Sequence, residues 1–349
     1  MSRSQPDLFR HQAQACQHLG SAMYAELLGA LADDLQAGGP TARVLRGHED
    51  DPGPSGLALR VVGSLHRLVL AGQAPELAGH YPTTGGRWGP EGTAAVLDFL
   101  DRRGDDVRPL LDRAPQTNEV GRAAALLGGL LVLASTWRRP VRLFEIGASG
   151  GLNLQADRFH YLDDAGRGWG DPASPVRLAP AWHGSPLPVD AGLEVVERGG
   201  SDVLPVDVTT EDGRLTLTSY VWPDMTERHA RLAGAIALAR TRPVPVQQED
   251  AASYVGALRP EPGTLTVLWH SVMWQYVPAD QRERVTTRLA ALGESASDAA
   301  PLVHLFAEPT RRTPGEDHRF WVCAETWPGC GERAYLGRMA AHGLPVVWE

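Results

Sequence analysis

Apolar residues recur at helical spacing through the first third of the chain. Leu8, Phe9, Ala13, Cys16 and Leu19 fall on one stripe, and Met23, Leu27, Leu28, Leu31 and Leu35 on a second, so residues 7–36 predict two amphipathic helices. Asp7 and Ser21 are available as caps, and Gly38-Gly39-Pro40 stops the second helix. After a Pro/Gly/Asp loop at 50–56, residues 57–72 and 91–103 read as further helices, separated by the glycine-rich loop HYPTTGGRWGP at 80–90. QTNEVGRAAALLGGLLVLAS (116–135) predicts a helix with a polar start and an apolar body, capped by Thr117 or Asn118, with Glu119 near its positive end.

The period then changes. Residues 141–146 are a continuous apolar, β-rich run, which predicts a buried strand; a glycine turn follows, and a helix is expected from about 152. Strand, glycine turn and helix in that order open a nucleotide-binding α/β fold. The Pro/Gly-rich stretch 162–193 reads as an insertion. Beyond it, strands are expected at 193–202, 244–250, 264–271, 301–308, 319–326 and 344–349, with helices at 225–241, 251–258 and 278–292 between the earlier ones. This alternation predicts an α/β fold with a largely parallel sheet and helices on both faces. The expected organisation is a helical N-terminal cap at 1–115 and a Rossmann-like domain at 116–349.

Composition removes several chemistries. The net charge is −9, with all 33 basic residues Arg and no Lys. A Schiff-base lysine, a pyridoxal-phosphate anchor and a P-loop lysine are therefore excluded. The acidic balance argues against sequence-independent nucleic-acid binding, which needs a cation surplus. Cys16, Cys323 and Cys330 form no cluster of metal-binding spacing, so no metal and no disulfide framework is expected. The polar start lacks a signal-peptide core, and no membrane span is expected, which predicts a cytoplasmic protein without membrane partners.

The chemistry concentrates at predicted strand ends. The first is Glu145-Ile146-Gly147-Ala148-Ser149-Gly150-Gly151-Leu152-Asn153. Glycines there let a ligand approach the backbone. An acid before the first glycine is unusual for dinucleotide folds; it resembles the E/D-x-G-x-G-x-G turn of class I S-adenosylmethionine-dependent methyltransferases, with Ser149 at the middle glycine. That resemblance implies contacts from Glu145, Gly147, Ser149, Gly150 and Gly151 to the cofactor's amino-acid part. Asp202, in GGSDVLP, resembles the second-strand acid that accepts from ribose hydroxyls, with Glu197 as the alternative; a capping role is the competing reading. Asp250, in QQEDAA, resembles the third-strand acid that contacts adenine, and an N-cap reading competes equally.

The segment LTVLWHSVMWQYVP (265–278) resembles the methyltransferase strand whose end faces the transferred methyl group. His270, Glu308 and Tyr276 are the candidate catalytic residues, and His270 suits general-base work near neutral pH. A histidine satisfied within the core is the alternative. Trp274, Gln275, Glu119 and Trp222 are candidate substrate contacts. Only two Asn occur in the chain, Asn118 and Asn153. Both flank the expected ligand, as does Arg122, a candidate partner for a carboxylate.

FRHQAQACQHLGSAMYAELLGALADDL, QTNEVGRAAAL, FEIGASGGLNLQADRFHY, YVWPDMTERHARL and HSVMWQYVP resemble a bacterial family catalogued as domain of unknown function 2332. The resemblance runs nearly end to end, with Gly150 where the family usually has Ala. Family membership implies no reaction. The methyltransferase motifs imply a seven-stranded sheet whose last pair is antiparallel, S-adenosylmethionine as cofactor, and a small-molecule acceptor. Competing readings are other chemistry on the same cofactor, a non-catalytic binding protein, and a dinucleotide oxidoreductase.

Overall fold

A computed structural model describes residues 4–349. The chain divides into two compact units, one of residues 1–117 with 210–230, the other of 118–209 with 231–349.

The first unit is helical. Its helices are α1 (Gln5–His18), α2 (Ala22–Gln36), α3 (Pro40–Val44), α4 (Leu57–Leu70), α5 (Pro75–Ala78) and α6 (Gly92–Val107). The stripes read from the sequence form its core: Phe9, Leu27, Leu28, Leu31, Val61, Leu65 and Phe99 are fully buried together. Ser4 and Ser21 cap α1 and α2. Residues 210–230 complete this unit. Within them Asp224 accepts from the Ser21 hydroxyl (2.7 Å) and the Met23 amide (3.0 Å) at the start of α2.

The second unit contains α7 (Ala123–Trp137), then β1 (Val141–Ile146), β2 (His160–Asp163), β3 (Gly168–Trp169), β4 (Arg177–Gly184) and β5 (Val195–Asp202). The helix α8 (Glu211–Ser219) belongs to the first unit, and α9 (Thr226–Thr241) starts there and runs into the second. The chain continues with β6 (Val246–Gln248), α10 (Ala251–Ala257), β7 (Leu265–Ser271), α11 (Ala279–Ser295), β8 (Leu302–Thr310), β9 (Arg319–Trp327), β10 (Arg333–Met339) and β11 (Val346–Trp348).

All eleven strands join one sheet, ordered β3-β2-β4-β11-β10-β9-β8-β7-β1-β5-β6. From β6 to β8 the pairings are all parallel. Numbered by their order in the chain, these five strands run 3-2-1-4-5. The chain reverses direction between β1 and β7, where α/β sheets open a ligand crevice at the strands' carboxyl ends. Every residue of β1 and β7 is buried, as strands covered on both faces require. Pleating sends alternate residues of β8 to opposite faces: Leu305 lies under Gly129 of α7, while His304 and Phe306 share a pocket with α11.

The sheet departs from a seven-stranded one. The stretch 162–193, read as an insertion, carries β3, β4 and the end of β2, and β10 has no apolar run to announce it. The expected final pair, β9 and β11, is separated by β10, to which both are antiparallel. The helix expected from about 152 is a six-residue 3-10 segment, Asn153–Arg158, broken at Gln155. Buried Phe159 and Tyr161 then draw the chain into β2. Residues Val120–Trp137, a 3-10 turn plus α7, are long and apolar enough to cross a membrane by length and composition, against the sequence expectation; 72% of the stretch is buried, as in a core helix.

Candidate functional site

The carboxyl ends of β1, β5, β7 and β8 gather the functional side chains of the second unit. Glu145 is the penultimate residue of β1 and is 2% exposed. Burial, reinforced by the neighbouring Asp202 carboxylate, pushes its carboxyl well above the usual range, with the Arg122 guanidinium and the Trp269 indole N–H opposing. Its Oε2 has no hydrogen-bond partner among the described residues. The turn that follows is held open by Gly147, Ser149 and Gly151, all left-handed at φ +68°, +53° and +69°. A side chain at Gly151 would meet Val246 at 2.9 Å, so glycine is required there.

Asp202, at the end of β5, holds this turn. Its carboxylate accepts from the Ser149 amide (2.9 Å) and the Leu204 amide (2.9 Å). The two asparagines tie the turn to the segment before α7: Asn118 Oδ1 accepts from the Leu152 amide (2.9 Å), and Asn153 Nδ2 donates to the Glu119 carbonyl (3.4 Å). Asn153 Oδ1 is buried without a partner among the described residues. Arg122 Nη1 donates to the Ser271 carbonyl (3.4 Å) at the end of β7. Glu145 and Asn153 therefore supply two open acceptors beside a glycine turn. That set suits a ligand bearing an ammonium or another cation, because such a ligand restores the ionised carboxylate that burial disfavours. The Met273 side chain lies against Gly147, its Cγ 2.9 Å from the place of a Cβ, so a ligand over Gly147 has to displace it.

A second cluster adjoins the first. His270 Nδ1 meets Glu308 Oε1 at 2.8 Å, and His270 Nε2 meets His304 Nε2 at 3.0 Å. His304 Nδ1 meets Glu325 Oε2 at 3.0 Å, and Arg333 donates to Glu325 Oε1 from Nη2 (2.9 Å) and Nε (3.1 Å). Two imidazoles cannot approach nitrogen to nitrogen at that distance unless one donates. Burial pulls His304 down to about 4, with the adjacent His270 acting in the same direction against Glu325, so His304 is neutral. Burial would raise Glu325, but His304 and Arg333 hold it below the usual range, so it accepts the His304 Nδ1 proton. His304 Nε2 is then the acceptor and His270 Nε2 the donor. Glu308 Oε1 also accepts from the Met273 (3.0 Å) and Trp274 (3.2 Å) amides, which marks it as an acceptor towards His270 Nδ1 as well. The His270 ring is stacked between Trp274 and Phe306 at 5.0 and 5.4 Å. Glu308 Oε2 is buried without a partner among the described residues.

This relay lines a pocket of about 560 Å³, walled by α11, the ends of β7 and β8, and β9. His270, Glu308, Trp274 and Gln275 line it together, as do His304, Glu325 and Arg333, to which the sequence reading gave no role. Alternation of His304, Phe306 and Glu308 along one face of a strand was the available signal.

The other sequence candidates have structural surroundings of their own. Trp222 is in the core of the helical unit, 6.3 Å from the Tyr24 ring, because its neighbours join that unit. Asp250 is the N-cap of α10, bound to the Ser253 amide (2.8 Å) and hydroxyl (3.1 Å). Tyr276 is 66% exposed, in a 3-10 turn. Glu119 caps a 3-10 turn through the Gly121 amide (3.1 Å), since α7 starts at Ala123 and not at 116. Glu197, the alternative to Asp202, pairs with Arg142 at 2.5 Å.

The fold and site define a mixed α/β protein with a buried carboxylate beside a glycine turn and a histidine–carboxylate relay at the switch point of its parallel strands. A family model described as "Uncharacterized protein conserved in bacteria (DUF2332)" matches residues 6–348, and the chain belongs to that family. No curated protein and no solved structure matches the chain.

Proposed function

We propose that this protein is an S-adenosylmethionine-dependent methyltransferase acting on a small-molecule acceptor. The observation that carries this reading is the buried carboxylate oxygen of Glu145, Oε2, without a hydrogen-bond partner among the described residues, beside the glycine turn. The 3-2-1-4-5 order of the parallel strands supports it, because Glu145 then stands at the switch point. Glu145 and Asn153 would receive the ammonium of the cofactor's amino-acid part. Asp202 keeps lone pairs for ribose hydroxyls beyond its two backbone bonds. The bound cofactor supplies an electrophilic methyl group. Glu308, with its open Oε2, takes the acceptor's proton, and His270 steadies the carboxylate through Oε1. Trp274 and the pocket walls align the acceptor, which is most of what methyl transfer requires.

Isothermal titration with S-adenosylmethionine, S-adenosylhomocysteine and NAD tests the reading. Saturable binding of the first two, with NAD silent, is expected. Binding of NAD alone would transfer the site to dinucleotide chemistry, and binding of none would remove the proposal. The relay favours a second reading, acid–base chemistry on the same cofactor without methyl transfer, since displacement at a methyl needs fewer titratable groups. Product analysis of a turnover assay with cell extract separates the two: a methylated product with S-adenosylhomocysteine supports the first.

A further inference from the structure

The pocket carries more charge information than its proton-accepting end uses. Its imidazole, guanidinium and carboxylate lining is His270, Arg282, His304, Glu308, Glu325 and Arg333. Arg333 is satisfied by Glu325, and His270 by Glu308 and His304. That leaves Arg282, in the first turn of α11, whose guanidinium has no hydrogen-bond or ion-pair partner among the described residues. In the same lining, Glu308 Oε2 is an acceptor without a donor among the described residues and Glu308 is 5% exposed. The same pocket is lined by the apolar side chains of Trp274, Trp327 and Leu289.

We infer that the pocket binds a flat, aromatic organic acid that also carries a hydroxyl or amino group. Its carboxylate pairs with Arg282, its protic group donates to Glu308 Oε2, and its ring lies against the aromatic walls. Each end of the ligand satisfies one group that the folded chain leaves open. Guanidinium and carboxylate match as a two-point fork, which fixes the ring's direction in the pocket. A pocket of this size suits a molecule of one or two rings. The inference rests on reading the pocket as the acceptor site, but its binding consequence needs no cofactor.

The test is calorimetric titration, without cofactor, of 4-hydroxybenzoate and 6-hydroxy-2-naphthoate, each with its methyl ester and its analogue lacking the hydroxyl. The acid should bind at least about tenfold more tightly than its ester, the worth of one charge-assisted pair. Arg282→Gln should collapse that preference with helicity unchanged by circular dichroism, and Arg282→Lys should restore part of it. Glu308→Gln should keep the preference for acid over ester while narrowing the preference for the hydroxylated acid. Equal binding of acid and ester, a preference that survives Arg282→Gln, or no saturable binding of either acid would overturn the inference. S-adenosylmethionine titrated on the same samples separates the two proposals: acid selectivity without cofactor binding defeats only the cofactor reading, and cofactor binding without acid selectivity defeats only this one.

Discussion

Replacing Glu145 by Gln should strengthen the fold and weaken the cofactor, two effects of opposite sign from one atom. The native carboxyl is wholly buried and held protonated above its ordinary value of 4.5, chiefly by burial and then by Asp202. In the unfolded chain it ionises near that ordinary value. As pH rises through the interval between the two, the unfolded state loses a proton that the native state keeps, so stability falls. Each pH unit in that window costs the wild type about 1.4 kcal/mol, and the amide variant nothing. Glutamine keeps the volume and a carbonyl acceptor, so packing should survive. Urea denaturation from about pH 5 to about pH 8 should show the variant gaining on the wild type as pH increases. Calorimetry should show the reverse for S-adenosylmethionine, with affinity down about 10- to 100-fold, the worth of a hydrogen bond to a charged group. Parallel stability profiles for the two proteins would mean that Glu145 ionises within the fold, and unchanged affinity would take it out of the site.

Asp202→Ala should cost about 1–2 kcal/mol in urea midpoint, from the two backbone amides it leaves open, and weaken S-adenosylmethionine at least about tenfold; an intact affinity would leave Asp202 a purely structural tie. His66 is wholly buried, its Nδ1 on the Ser219 carbonyl (3.1 Å) and its Nε2 on the Thr83 hydroxyl (2.9 Å), and burial pulls it down to about 3. The unfolded chain binds protons at this histidine and at His304 from about pH 6.5 downward while the fold does not, so stability should fall by about 1.4 kcal/mol per unit for each as the solution is acidified, until their native values are reached. His66→Gln should remove one of these slopes in acid denaturation, and a curve identical to wild type would refute the assignment. Gly128→Ala should destabilise by about 3 kcal/mol or more in thermal melting, since its Cβ would stand 2.0 Å from the Trp348 ring; a melting point within a degree or two of wild type would show that the indole moves freely.

The elements with a clean period were legible in the sequence. The stripes of α1 and α2, the apolar runs of β1, β7 and β8, and the amphipathic α11 all lie within a few residues of their expected places. What escaped was set by pairing at a distance. β4 and β10 mix arginines with small and aromatic residues, and they become strands because β11 and β9 offer edges to them. The polar start at 116–119 reads as a first helical turn, yet Asn118 leaves the helix to bind the Leu152 amide across the glycine turn. For the site, the types and order of Glu145, Asp202, His270 and Glu308 pointed to strand ends. For Asp250 the competing N-cap reading is the one observed; no local signal showed that Asp202 would bind the turn after β1, or that His304 and Glu325 would extend the relay.

The corner from Ser271 to Trp274 joins the two halves of the site. Val272 stands at φ +51°, a left-handed conformation that a β-branched residue adopts only under constraint and at a cost of about 1–3 kcal/mol. The constraint is visible on every side. The Ser271 carbonyl accepts from Arg122, the Val272 amide donates to the Ala307 carbonyl (3.1 Å), and the Met273 and Trp274 amides converge on Glu308 Oε1. The same four residues place the Met273 side chain on Gly147 and the Trp274 ring on His270. A ligand that lies over Gly147 has to move Met273, and the Met273 amide is one of three donors holding the Glu308 carboxylate. In the proposed reading, occupancy beside Glu145 would be linked, through one strained turn, to the orientation of the group that faces the pocket.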